Sequence, residues 1–194
     1  MTKVVSSVTV VPMKLRFHTV GASGSGTTTL AIGLASYLKL AHFDADDYYW
    51  KPTNPPFTTK RPVEERVALL TNDLEEHPSW VLSGSLVNWG DQIKHRFTHV
   101  IFLSLPQPLR IARLREREIR KFGTRINLGG DMHQQHLDFI QWAMKYDNGG
   151  LDVRSMQLHE QWFKDLNCPV IRLSGEFTTD EQVRRIVQSI KTPG

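Results

Sequence analysis

Eight consecutive residues near the start of the chain, Gly21-Ala22-Ser23-Gly24-Ser25-Gly26-Thr27-Thr28, combine three glycines with four side-chain hydroxyls. Glycines at the first, fourth and sixth places let a backbone wrap tightly enough for its amide hydrogens to point at phosphate oxygens. A helix starting here would add the positive end of its dipole, so an anion is stabilised without a charged side chain. The order of a glycine, four residues, a glycine and then a basic-plus-hydroxyl pair is that of a phosphate-binding loop. Thr28 stands where the hydroxyl ligand of magnesium belongs. Thr27 stands where such loops carry a lysine that bridges the terminal phosphates and offsets charge during transfer. Either an arginine from elsewhere supplies that charge, or the chain binds nucleotide and transfers phosphate poorly; both remain open at this point.

Two further groups have types and spacings suited to the same chemistry. Asp44, Asp46 and Asp47 form an acidic cluster. In an extended segment Asp44 and Asp46, two apart, share a face, where they could hold a magnesium shell or an acceptor hydroxyl. A solvated acidic turn would have the same composition. Arg110, Arg113, Arg115, Arg117 and Arg120 crowd one stretch, and Arg125 follows. Arg113, Arg117 and Arg120 are spaced by four and three, so on a helix they project from one face and can converge on a polyphosphate. The alternative is a solvated face paired with Glu116 and Glu118. Asp131, His133 and His136 lack the spacing of a metalloprotease helix. Ser83-Gly84-Ser85 closes an apolar run as either an acceptor-side loop or a plain tight turn.

The elements that would position these residues follow from periodicity. Leu15 to Val20 is short and apolar-leaning and ends at glycine, as a buried strand should. Leu30, Leu34 and Leu38 recur every four residues, predicting a helix from Thr27 to about Leu40. Ala41 to Phe43 makes a second strand, so the acidic cluster falls at its carboxyl end, where open parallel sheets bind ligands. Pro52, Pro55, Pro56 and Pro62 bar regular structure until Pro62 starts a helix over Val63 to Glu76; an inserted flap is expected over 51–76. Trp80-Val-Leu-Ser-Gly and His99-Val-Ile-Phe-Leu-Ser-Leu are strands, and Val170-Ile-Arg-Leu is a weaker one. Leu109 to Lys121 reads as helix, and the glycine-rich Phe122 to Asp131 opens a mobile lid expected over 122–150. Strands alternating with helices imply an α/β fold with a parallel sheet covered on both faces.

With the stretches His42-Phe-Asp-Ala-Asp-Asp-Tyr-Tyr-Trp50, Trp80-Val-Leu-Ser-Gly-Ser85 and Arg154-Ser-Met-Gln-Leu-His-Glu-Gln-Trp162 added to the loop, the chain from Met13 onward resembles the adenylate-kinase and shikimate-kinase group of P-loop kinases. Within that group it resembles the small bacterial adenylate-kinase-related, topology-modulation-like proteins. The resemblance implies a five-stranded parallel sheet in the order 2-3-1-4-5, a flap, and a lid that closes over the reacting phosphates. It implies ATP and Mg2+, with Gly21 to Thr28 holding phosphate and Thr28 and Asp44 serving the metal. Asp46 would bind the acceptor or take its proton. Arg113, Arg117 and Arg125 would cover the transferring group. Asp44, Asp46, Arg61, Arg66, Gly84, Ser85 and Arg154 would hold the acceptor, a nucleoside monophosphate or a hydroxyl-bearing metabolite.

Composition limits the alternatives. A chain of 194 residues with 40% hydrophobic content can bury a real core. A single cysteine, Cys168, forms no internal disulfide, and no stretch approaches the ~20 apolar residues of a membrane span. A cytoplasmic protein, monomer or homodimer, is expected, with residues 1–12 a flexible extension before a single domain over 13–194. A net charge of +4 fits nucleic acid as well as anionic metabolites, but the arginines cluster beside a phosphate loop rather than along a separate aromatic-studded face. No nucleic-acid or membrane partner is expected. Against the kinase stands a nucleotide-binding regulatory module in which Thr27 marks lost catalysis.

Overall fold

The computed structural model describes residues 14–191; the expected extension at 1–12 lies outside them. Five strands, β1 (Arg16–Gly21), β2 (Ala41–Asp44), β3 (Trp80–Ser83), β4 (His99–Ser104) and β5 (Val170–Ser174), form one sheet in the order β2-β3-β1-β4-β5. Every neighbouring pair is parallel. The order 2-3-1-4-5 expected above is the order found, and the fold is the α/β fold of P-loop nucleoside-triphosphate-binding proteins.

Side chains alternate across the strands because the strand period is two. Phe17, Val81, Ile101 and Leu103 face a layer made by Leu30 and Leu34 of α1 (Thr27–Leu38) and by Val183, Ile186 and Val187 of α7 (Thr179–Lys191). Val20, Trp80, Leu82, Val100 and Phe102 face the opposite layer. That layer holds Leu70 and Leu74 of α3 (Val63–Glu75) and Trp162 and Phe163 of α6 (Met156–Phe163). Each such buried side chain contributes about 1.5–3 kcal/mol. Helices therefore cover both faces, as expected. Among the described residues, no helix is long and apolar enough to cross a membrane.

Three local outcomes differ from the sequence expectations. The segment after β2 is not extended: Asp44 caps the short helix α2 (Ala45–Tyr49), its side chain accepting from the Asp46 amide. Asp44 and Asp46 thus do not share a strand face. An Asp followed by acidic residues in the first turn satisfies free amides and the helix dipole at once, and that outweighs extension. The flap is shorter than 51–76, since α3 packs into the core through Leu70 and Leu74 and leaves the irregular part at 51–62. The lid is mostly helical. After α4 (Gln107–Phe122) a 3-10 turn, Gly123–Ile126, leads to α5 (His133–Met144), and Ile140 and Ala143 pack on Ile111 and Leu114 of α4.

Candidate active site

Parallel pairing sets the carboxyl ends of three strands side by side, with Asp44 in register with Ser83 and Thr19 in register with Ser83 from the other side. The loop emerging from β1 folds back on itself, the Ser25 amide donating to the Ala22 carbonyl at 3.1 Å. Gly24 is fixed by space and conformation alike: its φ is +82°, and a Cβ would meet the Arg110 carbonyl at 2.5 Å. Gly26, at φ +98°, stands at the start of α1, where no side chain caps the helix and its first turn has no acidic residue. The amides and dipole of α1 are thus left for an anion. The Ser25 hydroxyl is buried without a partner, a donor directed at nothing the protein supplies. These residues fit a bound phosphate group.

Asp44 is tied on both oxygens. Thr28 Oγ1 donates to Oδ2 at 3.0 Å, Ser83 Oγ donates to the same oxygen at 2.9 Å, and the Asp46 amide donates to Oδ1 at 3.0 Å. His42 Nε2 lies 3.0 Å from Ser83 Oγ, extending the chain of polar contacts. A hydroxyl on the first turn of a phosphate-loop helix beside an oriented carboxylate is a donor set that suits a water-bearing Mg2+.

Asp46 is exposed at the surface, with protein close around its carboxylate. Desolvation and then the Asp44 carboxylate raise its pKa; Arg154, Arg117 and His42's neighbour Asp47 act more weakly, the two arginines lowering it and Asp47 raising it. Arg154 reaches the loop itself, its Nη2 hydrogen-bonded to Ser23 Oγ and its Cζ 4.4 Å from the centre of the Trp142 ring. Desolvation lowers its pKa while Asp46, Tyr146 and Tyr49 raise it; an arginine stays charged throughout. Ser23, Trp142, Ala143, Tyr146 and Arg154 line one small recess.

Beyond the end of β3, Ser85 Oγ lies 3.1 Å from Nε2 of the buried His159, whose Nδ1 lies 2.7 Å from the Tyr146 hydroxyl. Gly84 donates its amide to the Thr19 carbonyl at 3.1 Å. Arg66 is buried, donates to the Arg61 carbonyl at 2.7 Å and sits 3.8 Å from the Tyr49 ring centre. Arg61 pairs with Glu65 at 2.8 Å, and its Nε is buried without a partner.

The arginine stripe does not converge. Arg113 pairs with Glu176 at 3.6 Å and Arg117 with Glu118 at 3.3 Å, both about half exposed. Arg125 is held by Asp131 at 2.6 Å and reaches across to Asn54 Oδ1 in the flap at 3.0 Å. Arg110 is fully buried against Asp147 and the Leu105 carbonyl. Arg110, Arg113 and Arg117 lie on α4 and Arg125 in the 3-10 turn after it; each is paired with a carboxylate of its own, and Arg117 also acts on Asp46. The Ser23–Arg154 contact, by contrast, spans 131 residues, and no local pattern announces it. Ser83, read in the sequence as part of either an acceptor-side loop or a tight turn, binds Asp44; His42, within β2, contacts Ser83 and was not singled out by the sequence.

No protein-family model matches the chain. Among solved structures, shikimate kinase from Acinetobacter baumannii in complex with shikimate is similar at a TM-score of 0.55 and 18% identity, over 92% of this chain and 93% of that one. Shikimate kinase from Aquifex aeolicus is similar at a TM-score of 0.50 and 16% identity, over 91% and 96%. At those identities the likeness is one of fold. The uncharacterized protein YqaC of Bacillus subtilis (strain 168) is 42% identical over 180 residues, 93% of this chain and 99% of that protein, and the chain belongs to the YqaC family.

Proposed function

We propose that the protein is a phosphotransferase that moves the γ-phosphoryl group of ATP to a hydroxyl or phosphate oxygen of a small acceptor, a nucleoside monophosphate or a hydroxyl-bearing metabolite. The observation that carries the reading is the Thr28–Asp44 hydrogen bond beside the glycine loop, with Arg154 hydrogen-bonded to that loop and acting on the Asp46 carboxylate. The loop amides from Gly21 to Thr28 would hold the phosphates. Thr28 and Asp44 would hold Mg2+, which when bound neutralises charge between the phosphates. Asp46, its basicity raised by burial and by Asp44, accepts the acceptor's proton. The bond between the acceptor oxygen and γ-phosphorus forms as the bond to the β,γ-bridging oxygen breaks, leaving ADP. Ser85, Arg61 and Arg66 shape the acceptor side, and the flap over 51–62 and the lid exclude water. One unit over 13–194 would carry out the whole reaction.

Thr27 supports a second reading, a nucleotide-binding regulatory module with little transfer. ADP production by the purified protein with ATP and Mg2+ separates the two, across nucleoside monophosphates and polyol or cyclohexene-type alcohols. Acceptor-stimulated ADP release that is lost in Asp46→Asn supports the kinase. Tight ATP binding with no stimulation by any acceptor overturns it in favour of the module.

A further inference from the structure

Resting on nucleotide binding at the loop, we infer that Arg154 supplies the positive charge that the loop lacks at Thr27, bridging the terminal phosphates of ATP in place of a lysine. Among the described residues, Arg154 is the one basic side chain hydrogen-bonded to a side chain of the loop, at Ser23. The Asp46 carboxylate is near enough to favour its charge, so the guanidinium is tied to the loop by a hydrogen bond and also feels the carboxylate assigned above to the acceptor.

Its surroundings leave it short of partners. Trp142 covers one face, Nε is buried with no hydrogen-bond partner, and no carboxylate is within ion-pair distance of it among the described residues. A planar guanidinium held this way presents parallel N–H donors suited to phosphate oxygens. Four other arginines each have a carboxylate partner, Arg110 with Asp147, Arg113 with Glu176, Arg117 with Glu118 and Arg125 with Asp131; Arg117 also acts on Asp46 but, unlike Arg154, has no hydrogen bond to the loop among the described residues. A loop lysine would project its ammonium from within the loop; Arg154 brings the same charge from the segment between α5 and α6. That origin makes the charge depend on the lid helix α5, because Trp142 of α5 supplies the surface on which Arg154 lies.

The test measures binding of ATP and of ADP, by calorimetry in the presence of Mg2+ and without any acceptor, so it does not depend on transfer. Arg154→Met is expected to weaken ATP binding about 10-fold or more, the loss expected for a charge-assisted contact, and to weaken ADP binding by less than about 3-fold. Thr27→Lys in the Arg154→Met background is expected to restore ATP affinity to within about 3-fold of the wild type, which a merely misfolded protein would not show. Unchanged ATP affinity in Arg154→Met overturns the inference, as does absence of rescue by lysine. Wild-type binding of ATP without turnover of any acceptor defeats the proposed transfer and leaves this inference standing. Wild-type failure to bind ATP defeats both.

Discussion

The hydroxyl of Thr28 and the carboxylate of Asp44 meet at 3.0 Å, joining the first turn of α1 to the end of β2 across the mouth of the phosphate loop. Asp44 is held in turn by Ser83 and by the Asp46 amide, so one carboxylate sets the relative position of three elements. Such a carboxylate acts through what it orients. Replacing it by Asn, or Thr28 by Val, is expected to lower metal-dependent turnover about 10–100-fold, the range for residues that orient metal ligands. ATP binding in excess chelator should change little, because the loop amides remain. Equal losses with and without metal would sink the assignment of this pair to Mg2+.

Asp46 offers a prediction about pH. Desolvation and the negative charge of Asp44 hold its carboxyl above the ordinary aspartate value of 3.8, against the opposing pull of Arg154 and Arg117. A carbon-13 NMR titration of the nucleotide-free protein should find its midpoint above 3.8. Asp44→Asn should lower that midpoint by removing a repelling charge, and Arg154→Met should raise it by removing an attracting one. In turnover, Asp46→Asn should cost about 10²–10⁴-fold in kcat, the usual yield of a positioned base. A midpoint below 3.8 would mean that the arginines dominate.

How much of this was legible beforehand depends on whether the cause is local. The phosphate loop was, because three glycines and a following leucine period are local signals, and the sheet order followed from the family resemblance. Helix α2 was misjudged as extended although Asp44 followed by Asp46 and Asp47 carries the marks of a capped helix start. The arginine stripe was legible as a helix face, but its partners Glu176 and Asp131 come from other elements. The Ser23–Arg154 pair was not legible as a contact, since only the fold brings the loop after β1 and the segment before α6 together. Residue type told the chemistry available; tertiary packing decided which of several arginines reaches the loop.

Two buried histidines should make the protein acid-labile by a known amount per residue. His18 is stacked on Phe97 at 4.9 Å and is held down to about 4, mainly by burial and against a backbone contact to Leu82. His159 is held down to about 3 by burial first, then by Arg154 and His18. Both start from 6.5, so the unfolded chain takes up these protons first. Their stabilising effect is complete above pH 6.5. It is lost as pH falls through the folded values, at a slope of about 1.4 kcal/mol per pH unit for each histidine. Urea unfolding of His18→Phe should show the slope between pH 6.5 and 4 reduced by one proton's worth. An unchanged slope there would show that His18 does not carry this proton.

Among the described residues, the irregular segment 51–62 is met by residues of α4, the following 3-10 turn and α5. Arg125 reaches Asn54 at 3.0 Å, Gln135 Nε2 donates to the Pro56 carbonyl at 2.8 Å, and Lys121 lies 4.6 Å from the Phe57 ring centre. Arg125 is also gripped by Asp131 through Nε and Nη2, and the same Nη2 donates to Asn54. All three contacts lie outside the two core layers, so their removal should loosen the cleft without melting the sheet. Asn54→Ala combined with Gln135→Ala is expected to speed amide exchange across 51–62 several-fold while exchange in β1, β3 and β4 stays unchanged. On the proposed reading, in which 51–62 closes over the acceptor, KM for the acceptor should rise up to about 10-fold with ATP affinity unaltered. Faster exchange with an unchanged acceptor KM would separate flap motion from acceptor binding. Unchanged exchange would show that these bonds do not hold the flap down.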